Sequence, residues 1–194
     1  MNMLLGLTGK YCAGKNYAAV ILEKRGLPVL DVDKLGYQTL EAEKETIFVQ
    51  FGRDLQTAGG SLDRRLLGQR VFGNPEKLAS LEAIVHPPVN RLTEEWIERN
   101  TEQFKHCVIN AALLHKSSVF YRLDRIILIT APVFTRLLRA RRRDRLSWRE
   151  IFRRFASQKD FGTQYLSVNA EIYRVENLGL SLERRIDKII EGII

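Results

Sequence analysis

The feature that most constrains this chain lies near its start: Gly9-Lys10-Tyr11-Cys12-Ala13-Gly14-Lys15, in the pattern G-x-x-x-x-G-K. It follows a short apolar run, Met3-Leu4-Leu5-Gly6-Leu7, and leads into a helical stretch from about Gly14 to Lys24. In a strand–loop–helix arrangement, successive backbone amides can wrap a polyphosphate. The helix N-terminus adds partial positive charge, and the lysine reaches the β and γ oxygens. Chance places such a pattern in a chain this long about once in twenty, and the flanking strand and helix make an accident rarer. The bland alternative is a glycine turn joining strand to helix. The position after the lysine usually holds Ser or Thr, whose hydroxyl binds Mg²⁺; here it is Asn16. A carboxamide oxygen is a hard acceptor of similar kind but longer and planar, so Asn16 is expected to meet the metal through water or with poorer geometry.

Downstream patterning supports an α/β chain. Leu27 to Asp31 reads as a second extended segment after Gly26, which suits a helix C′ position, and begins a β-α-β unit that favours a parallel sheet. Residues 34–100 read as mostly helical, with breaks at 58–61, 73–75 and 86–88, the last because His86-Pro87-Pro88 can end one helix and start another. Cys107-Val108-Ile109 and Ile126 to Ile129 read as strands, the latter apolar enough to be buried on both faces. Pro132 suits a first helical turn, with the helix running to about Arg143. Ser147-Trp148-Arg149-Glu150 has the form of a capping box for a second helix from about residue 148. Glu171 to Val175 is a last extended piece, and Leu180 to Ile194 closes the chain as an amphipathic helix.

With 194 residues, 45% apolar and 28% charged, the chain reads as one ordinary globular domain, and fibrous or disordered classes are excluded. Cys12 and Cys107 are far apart and outside any C-x-x-C pattern, which suggests neither a disulfide framework nor a zinc site and makes a reducing cytoplasm the simplest location. No run approaches the ~18 apolar residues of a membrane span, and the N-terminal run is too short for a signal peptide.

The net charge of +8 calls for a polyanionic partner, and its distribution is local: nine arginines lie between Arg136 and Arg154 against Asp144 and Glu150. Arg136, Arg139 and Arg143 share one helical stripe, and Arg149 with Arg153 repeats the spacing on the next helix. Guanidinium groups pair bidentately with phosphate oxygens, so two such helices in a hairpin suit a lid. A solvated basic surface or a salt-dependent nucleic-acid face would share the pattern. Beside a phosphate loop the lid is the stronger reading, and no nucleic-acid partner is expected.

Asp31 and Asp33 fall at the end of the second strand, the sheet edge where ligands bind. A carboxylate there can take a proton from an attacking hydroxyl, although Asp33 before Lys34 also reads as a plain helix N-cap. Tyr11 and Tyr17 can stack on a base, with core packing the commoner role. His106 and His115 show no metal-ligand spacing, and no metal site built from side chains alone is expected.

Taken in order, these segments resemble the dephospho-CoA kinase family over nearly the whole chain. The resemblance rests on Gly6-Leu7-Thr8-Gly9 into the loop, Asp31-Val32-Asp33, Phe51-Gly52, Ser61 to Leu67, Val71-Phe72 and Leu81 to Pro87. It continues through Ala131-Pro132, Arg139, Arg143-Asp144, Gln158 and Asn177-Leu178-Gly179. It implies a P-loop kinase fold: a five-stranded parallel sheet flanked by helices (core about 1–33, 104–135 and 160–194), a helical CoA-binding insertion at about 34–103, and an arginine-rich lid at about 136–159. The implied reaction moves the ATP γ-phosphoryl group to the ribose 3′-hydroxyl of dephospho-CoA, with Mg²⁺ bridging the phosphates. By the family pattern Asp33 is the base, Lys15 the phosphate ligand, and Arg139 and Arg143 lid contacts; Arg64 and His86 fall near the acceptor. Residues 9–17 and Asn177 are then the nucleotide side.

Three departures stand out. Lys10 replaces a glycine, Asn16 replaces Ser/Thr, and Asn110 to Lys116 stands where the family has D-x-P-L-L-x-E. A P-loop kinase for another nucleotide or small hydroxyl acceptor, or an impaired nucleotide-binding relative, would share the same loop.

Overall fold

The computed structural model describes residues 2–144, 146–156, 158, 161, 163–165, 169–179 and 181–193. Its centre is a sheet of five parallel strands, β1 (Met3–Gly9), β2 (Val29–Asp31), β3 (His106–Asn110), β4 (Arg125–Thr130) and β5 (Glu171–Glu176), in the order β2-β3-β1-β4-β5. These are the five extended segments read from the sequence, and β1 and β4, the most apolar, lie inside. Parallel pairing requires a crossover between strands, which α-helices supply except between β3 and β4, where the chain makes two short 3₁₀ turns. Helix α1 (Lys15–Lys24) follows β1, and helix α8 (Ser181–Ile193) closes the chain after β5.

Strand side chains alternate between faces, so Leu5 and Leu7 point one way with Val108, Ile127 and Ile129. On that face they meet Ala18, Ile21 and Leu22 of α1 and the i, i+4 row Leu182, Ile186 and Ile190 of α8, and together these form the main core. Consecutive strands leave β1 toward β2 on one side and β4 toward β5 on the other. The crevice at their carboxyl ends is therefore where such a sheet takes its ligand.

The chain divides into two compact units, Met1–Asp31 with Ile97–Ile194, and Val32–Trp96. The second is helical: α2 (Val32–Ala42), α3 (Lys44–Phe51), α4 (Arg64–Val71) and most of α5 (Pro75–Thr101), around Ile47, Phe48, Phe51, Leu55, Leu62, Leu67 and Val71. Asp63 caps α4, its Oδ1 accepting the amides of Arg65 (3.0 Å) and Leu66 (2.9 Å).

Two local elements differ from what the sequence pattern predicts. Helix α5 runs unbroken through Pro87 and Pro88. Proline removes amide donors but its fixed φ is a helical one. The helix is held on both sides of the pair, by Leu81 and Ile84 packed on the helical core before it and by buried Val89 and Thr93 after it. Asp33 lies in the first turn of α2 rather than at a strand end, because helix begins directly after Asp31.

In the first unit, α6 (Val133–Asp144) and α7 (Trp148–Ala156) form the arginine-rich hairpin. Pro132 stands just ahead of α6, its carbonyl accepting the Arg136 amide at 3.0 Å. The capping box forms as read: the Ser147 amide donates to Glu150 Oε2 (2.9 Å), and the Glu150 amide donates to Ser147 Oγ (3.3 Å).

Candidate active site

The loop between β1 and α1 is shaped by two residues of positive φ, Cys12 (58°) and Gly14 (103°), with Ala13 between them. Such alternation bends the backbone into a concave nest of amides. Gly14 is required twice over. Its φ suits glycine, and a Cβ there would lie 2.2 Å from Asn177 Nδ2. Gly9 is tied to its neighbour strand in the same way, since a Cβ would sit 2.8 Å from the Ile129 carbonyl.

The loop is gripped from outside. Asn177, buried just after β5, donates Nδ2 to the Ala13 carbonyl at 2.8 Å, and Arg139 of α6 donates Nη1 to the same oxygen at 3.3 Å. Asn177 is itself fixed, its amide donating to the Thr130 carbonyl (2.6 Å) and its Oδ1 accepting the Gly179 amide (3.1 Å). In a trans peptide the C=O and N–H point in opposite directions, so holding the Ala13 carbonyl aims the Gly14 amide the other way, into the nest. The amides of Tyr11 and Ala13 are engaged within the protein, by Gln158 Oε1 at 2.7 Å and the Lys10 carbonyl at 2.9 Å.

The arginine stripe meets the loop along its length. Arg136 is buried, with Nη1 3.4 Å from the Tyr11 carbonyl. Arg143 is exposed and pairs with Asp144 Oδ1 at 2.6 Å, and its guanidinium lies 5.4 Å from the centre of the Tyr11 ring. Arg154 of α7 lies 5.6 Å from that ring and 3.4 Å from Asp144 Oδ2, which also accepts the Tyr11 hydroxyl. The hydrogen bond from Arg143 draws the Asp144 carboxyl below its usual range, and the same bond raises the guanidinium. Burial, followed by the bond to Asp144, pushes the Tyr11 phenol up, and burial alone is the leading cause of the raised Cys12 thiol. Between the hairpin helices Ala140 and Ile151 pack with Cys12, joined by Tyr11, Leu137, Leu146 and Phe155.

Beside the loop is an open cleft of about 510 Å³ lined by Gly14, Tyr17, Arg139, Asn177 and Gly179. Tyr17 is 56% exposed there, so the core-packing role fails for it, whereas Tyr11 does pack in the hairpin. Lys15 and Asn16 occupy the first turn of α1, with Asn16 exposed.

The structure thus brings together residues 9–17, Arg139, Arg143 and Asn177. Asp33, Arg64 and His86 belong to the helical unit. There Asp33 is half-buried, Arg64 lies over the Tyr37 ring at 4.9 Å, and His86 is exposed on α5. Sequence reasoning placed Arg136 in the lid stripe without a contact of its own, and assigned no site role to Gln158, Asp144, Arg154 or Gly179. Arg136 was visible in the stripe, Gln158, Asp144 and Gly179 in the family motifs, and Arg154 only in the charge count.

Comparison with known proteins agrees with this fold. A dephospho-CoA kinase family model matches residues 3–178. The dephospho-CoA kinase of Treponema pallidum (strain Nichols) is 34% identical over 197 residues, covering 96% of this chain and 93% of its own. The crystal structure of TT1252 from Thermus thermophilus superposes with a TM-score of 0.82 at 32% identity, covering 99% of this chain and 96% of that one. A shikimate kinase from Acinetobacter baumannii, with a TM-score of 0.54 at 15% identity and coverage of 100% and 93%, shares the fold alone. The fold is that of the P-loop kinases, and the chain belongs to the dephospho-CoA kinase family.

Proposed function

We propose that this protein transfers the γ-phosphoryl group of ATP to the ribose 3′-hydroxyl of dephospho-CoA, forming CoA and ADP. The observation that carries the reading is the gripped loop: Asn177 and Arg139 converge on the Ala13 carbonyl and shape an amide nest beside an open cleft. ATP binds with its phosphates in that nest and its nucleoside toward Tyr17 and Asn177. Lys15 neutralises the β and γ oxygens. Arg139 and Arg143 meet the charge that spreads over the transferring group, for which planar donors are suited. The 3′-oxygen attacks the γ-phosphorus, the bond to the β–γ bridging oxygen breaks, and the hydroxyl proton passes to the Asp33 carboxylate. Arg64 and His86 serve the acceptor, residues 34–103 form its binding unit, and 136–159 act as the lid.

When bound with the nucleotide, Mg²⁺ would supply charge neutralisation to its phosphates. Among the described residues no group of three or more His, Cys, Asp or Glu could hold a metal ion. The donors that fit are neutral oxygens. Asn16 offers one at the head of α1, and the Oδ1 of Asn110 is buried without a hydrogen-bond partner at the carboxyl end of β3. A hard cation bound mainly by nucleotide phosphates accepts such ligands, directly or through water. Among the described residues no helix is long and apolar enough to cross a membrane. The unpaired Cys12 and Cys107 support a cytoplasmic location.

The test is ATP consumption across a panel of dephospho-CoA, AMP, CMP and shikimate. Turnover with dephospho-CoA at least about 100-fold above the others is expected. Preference for another member of the panel would reject the assignment.

A further inference from the structure

Arg136 is 6% exposed, yet its Nε has no hydrogen-bond partner and its side chain makes one long bond, from Nη1 to the Tyr11 carbonyl at 3.4 Å. Its guanidinium lies over the Phe155 ring, 4.6 Å from the centroid. Burying a cation is costly unless something anionic or strongly accepting answers it, so an incompletely paired guanidinium behind a phosphate loop calls for an explanation. Burial depresses its pKa, which is the sign of a charge held against solvation cost.

The geometry of the loop supplies that explanation. The carbonyls of Tyr11 and Ala13 are both held by hairpin arginines, Arg136 and Arg139, and that of Ala13 also by Asn177 from just after β5. Each held carbonyl shares a trans peptide with the next amide, so the Cys12 and Gly14 amides are turned away from the hairpin. Cys12 and Gly14 are also the two residues with positive φ, the alternation that makes a nest. Cys12 carries a Cβ at a φ of 58°, a conformation that L residues rarely adopt and that needs surrounding contacts to hold it.

We infer that Arg136 is a positioning residue for phosphate binding: by holding the Tyr11 carbonyl it aims the Cys12 amide into the nest, and its buried charge adds to the field there. The role differs from that of Arg139 and Arg143. Arg136 acts through the loop and on the bound state and the transition state alike, so it governs affinity for the phosphate chain and leaves kcat largely unchanged.

The inference rests on the proposed binding of ATP, and the experiment separates the two. Dissociation constants for ATP, tripolyphosphate and adenosine are measured for the wild type, Arg136→Gln and Arg136→Lys, with thermal melting as the fold control and kcat at saturating ATP. We expect Arg136→Gln to weaken ATP and tripolyphosphate by about 10- to 100-fold, with adenosine and kcat each changed by less than about threefold. Arg136→Lys should recover part of the loss. In ¹⁵N spectra, the Cys12 amide should shift on adding tripolyphosphate to the wild type and shift less in Arg136→Gln. If Arg136→Gln does not fold, the Lys variant and the wild-type Cys12 shift carry the test. Unchanged phosphate affinity, equal weakening of ATP and adenosine, or a Cys12 amide indifferent to tripolyphosphate would overturn the inference. A wild type that binds neither ATP nor tripolyphosphate would overturn the proposed function as well.

Discussion

The two sides of the proposed reaction are built differently. On the donor side the loop is held at atom level by groups far away in sequence: Asn177 and Arg139 on the Ala13 carbonyl, Arg136 on that of Tyr11, and Gln158 on the Tyr11 amide. On the acceptor side Arg64 and His86 are exposed, with Arg64 resting on the ring of Tyr37. A phosphate chain is the same in every turnover and rewards fixed donors, since preorganised dipoles need no rearrangement when charge develops. A large, flexible acceptor such as dephospho-CoA can bring its own ordering, with its binding energy used to complete the site.

The sharpest way to break this contrast is at Asp33. Asp33→Asn keeps the shape and removes the base, so kcat should fall by at least ~100-fold while ATP affinity stays within about twofold. Near-normal turnover would remove Asp33 from the chemistry. On the donor side, Arg139→Ala and Arg143→Ala should each lower kcat by about 10- to 100-fold and weaken ground-state ATP binding less. Loss of ATP affinity with kcat intact would make the stripe a uniform electrostatic patch. Arg139 should show the larger effect on affinity of the two, because it also holds the Ala13 carbonyl.

Smaller changes are expected at the metal. Asn16→Ser should lower the free Mg²⁺ needed for half-maximal rate, and Asn16→Ala should raise it, each by about threefold. Identical curves for the three proteins at saturating ATP would place residue 16 outside the reach of the metal and its waters. The smallest effect concerns the hairpin. Asp144 has its carboxyl lowered by the Arg143 bond. A depressed carboxyl stabilises the fold above its unfolded value, about 3.9, and loses that contribution as pH falls through the folded value. Asp144→Asn should therefore lower Tm by about 1–3 °C at pH 7, the pairing being partly solvent-screened, with a smaller gap near pH 3. An equal gap at both pH values would exclude an ionic origin.

Much of the donor side was legible because its signals are local. The glycine loop, the strand before it, the capping box at Ser147 and the i, i+3, i+7 arginine row all follow from spacing, and the row does lie against the loop. What spacing could not show was depth. Arg136 reads like its neighbours in a charge run, yet it is buried, with its guanidinium over the Phe155 ring and beside the Tyr11 carbonyl. Asn177 was reached only through resemblance, since its partner Ala13 is 164 residues away. Tyr17 looked like core and is exposed, because α1 turns its buried face, Ala18, Ile21 and Leu22, toward the sheet. The His86-Pro87-Pro88 break misled because tertiary contacts on both sides of the prolines outweigh two lost amide donors.

The most direct test of the whole account is the identity of the product. The purified protein is incubated with ATP, Mg²⁺ and dephospho-CoA, and the products are followed by ³¹P NMR with proton coupling. The account predicts ADP and, in equal amount, a new phosphomonoester coupled to the ribose H3′, both formed far more slowly by Asp33→Asn. Phosphate appearing at another position of the acceptor, or ADP accumulating with free phosphate and no new ester, would contradict it.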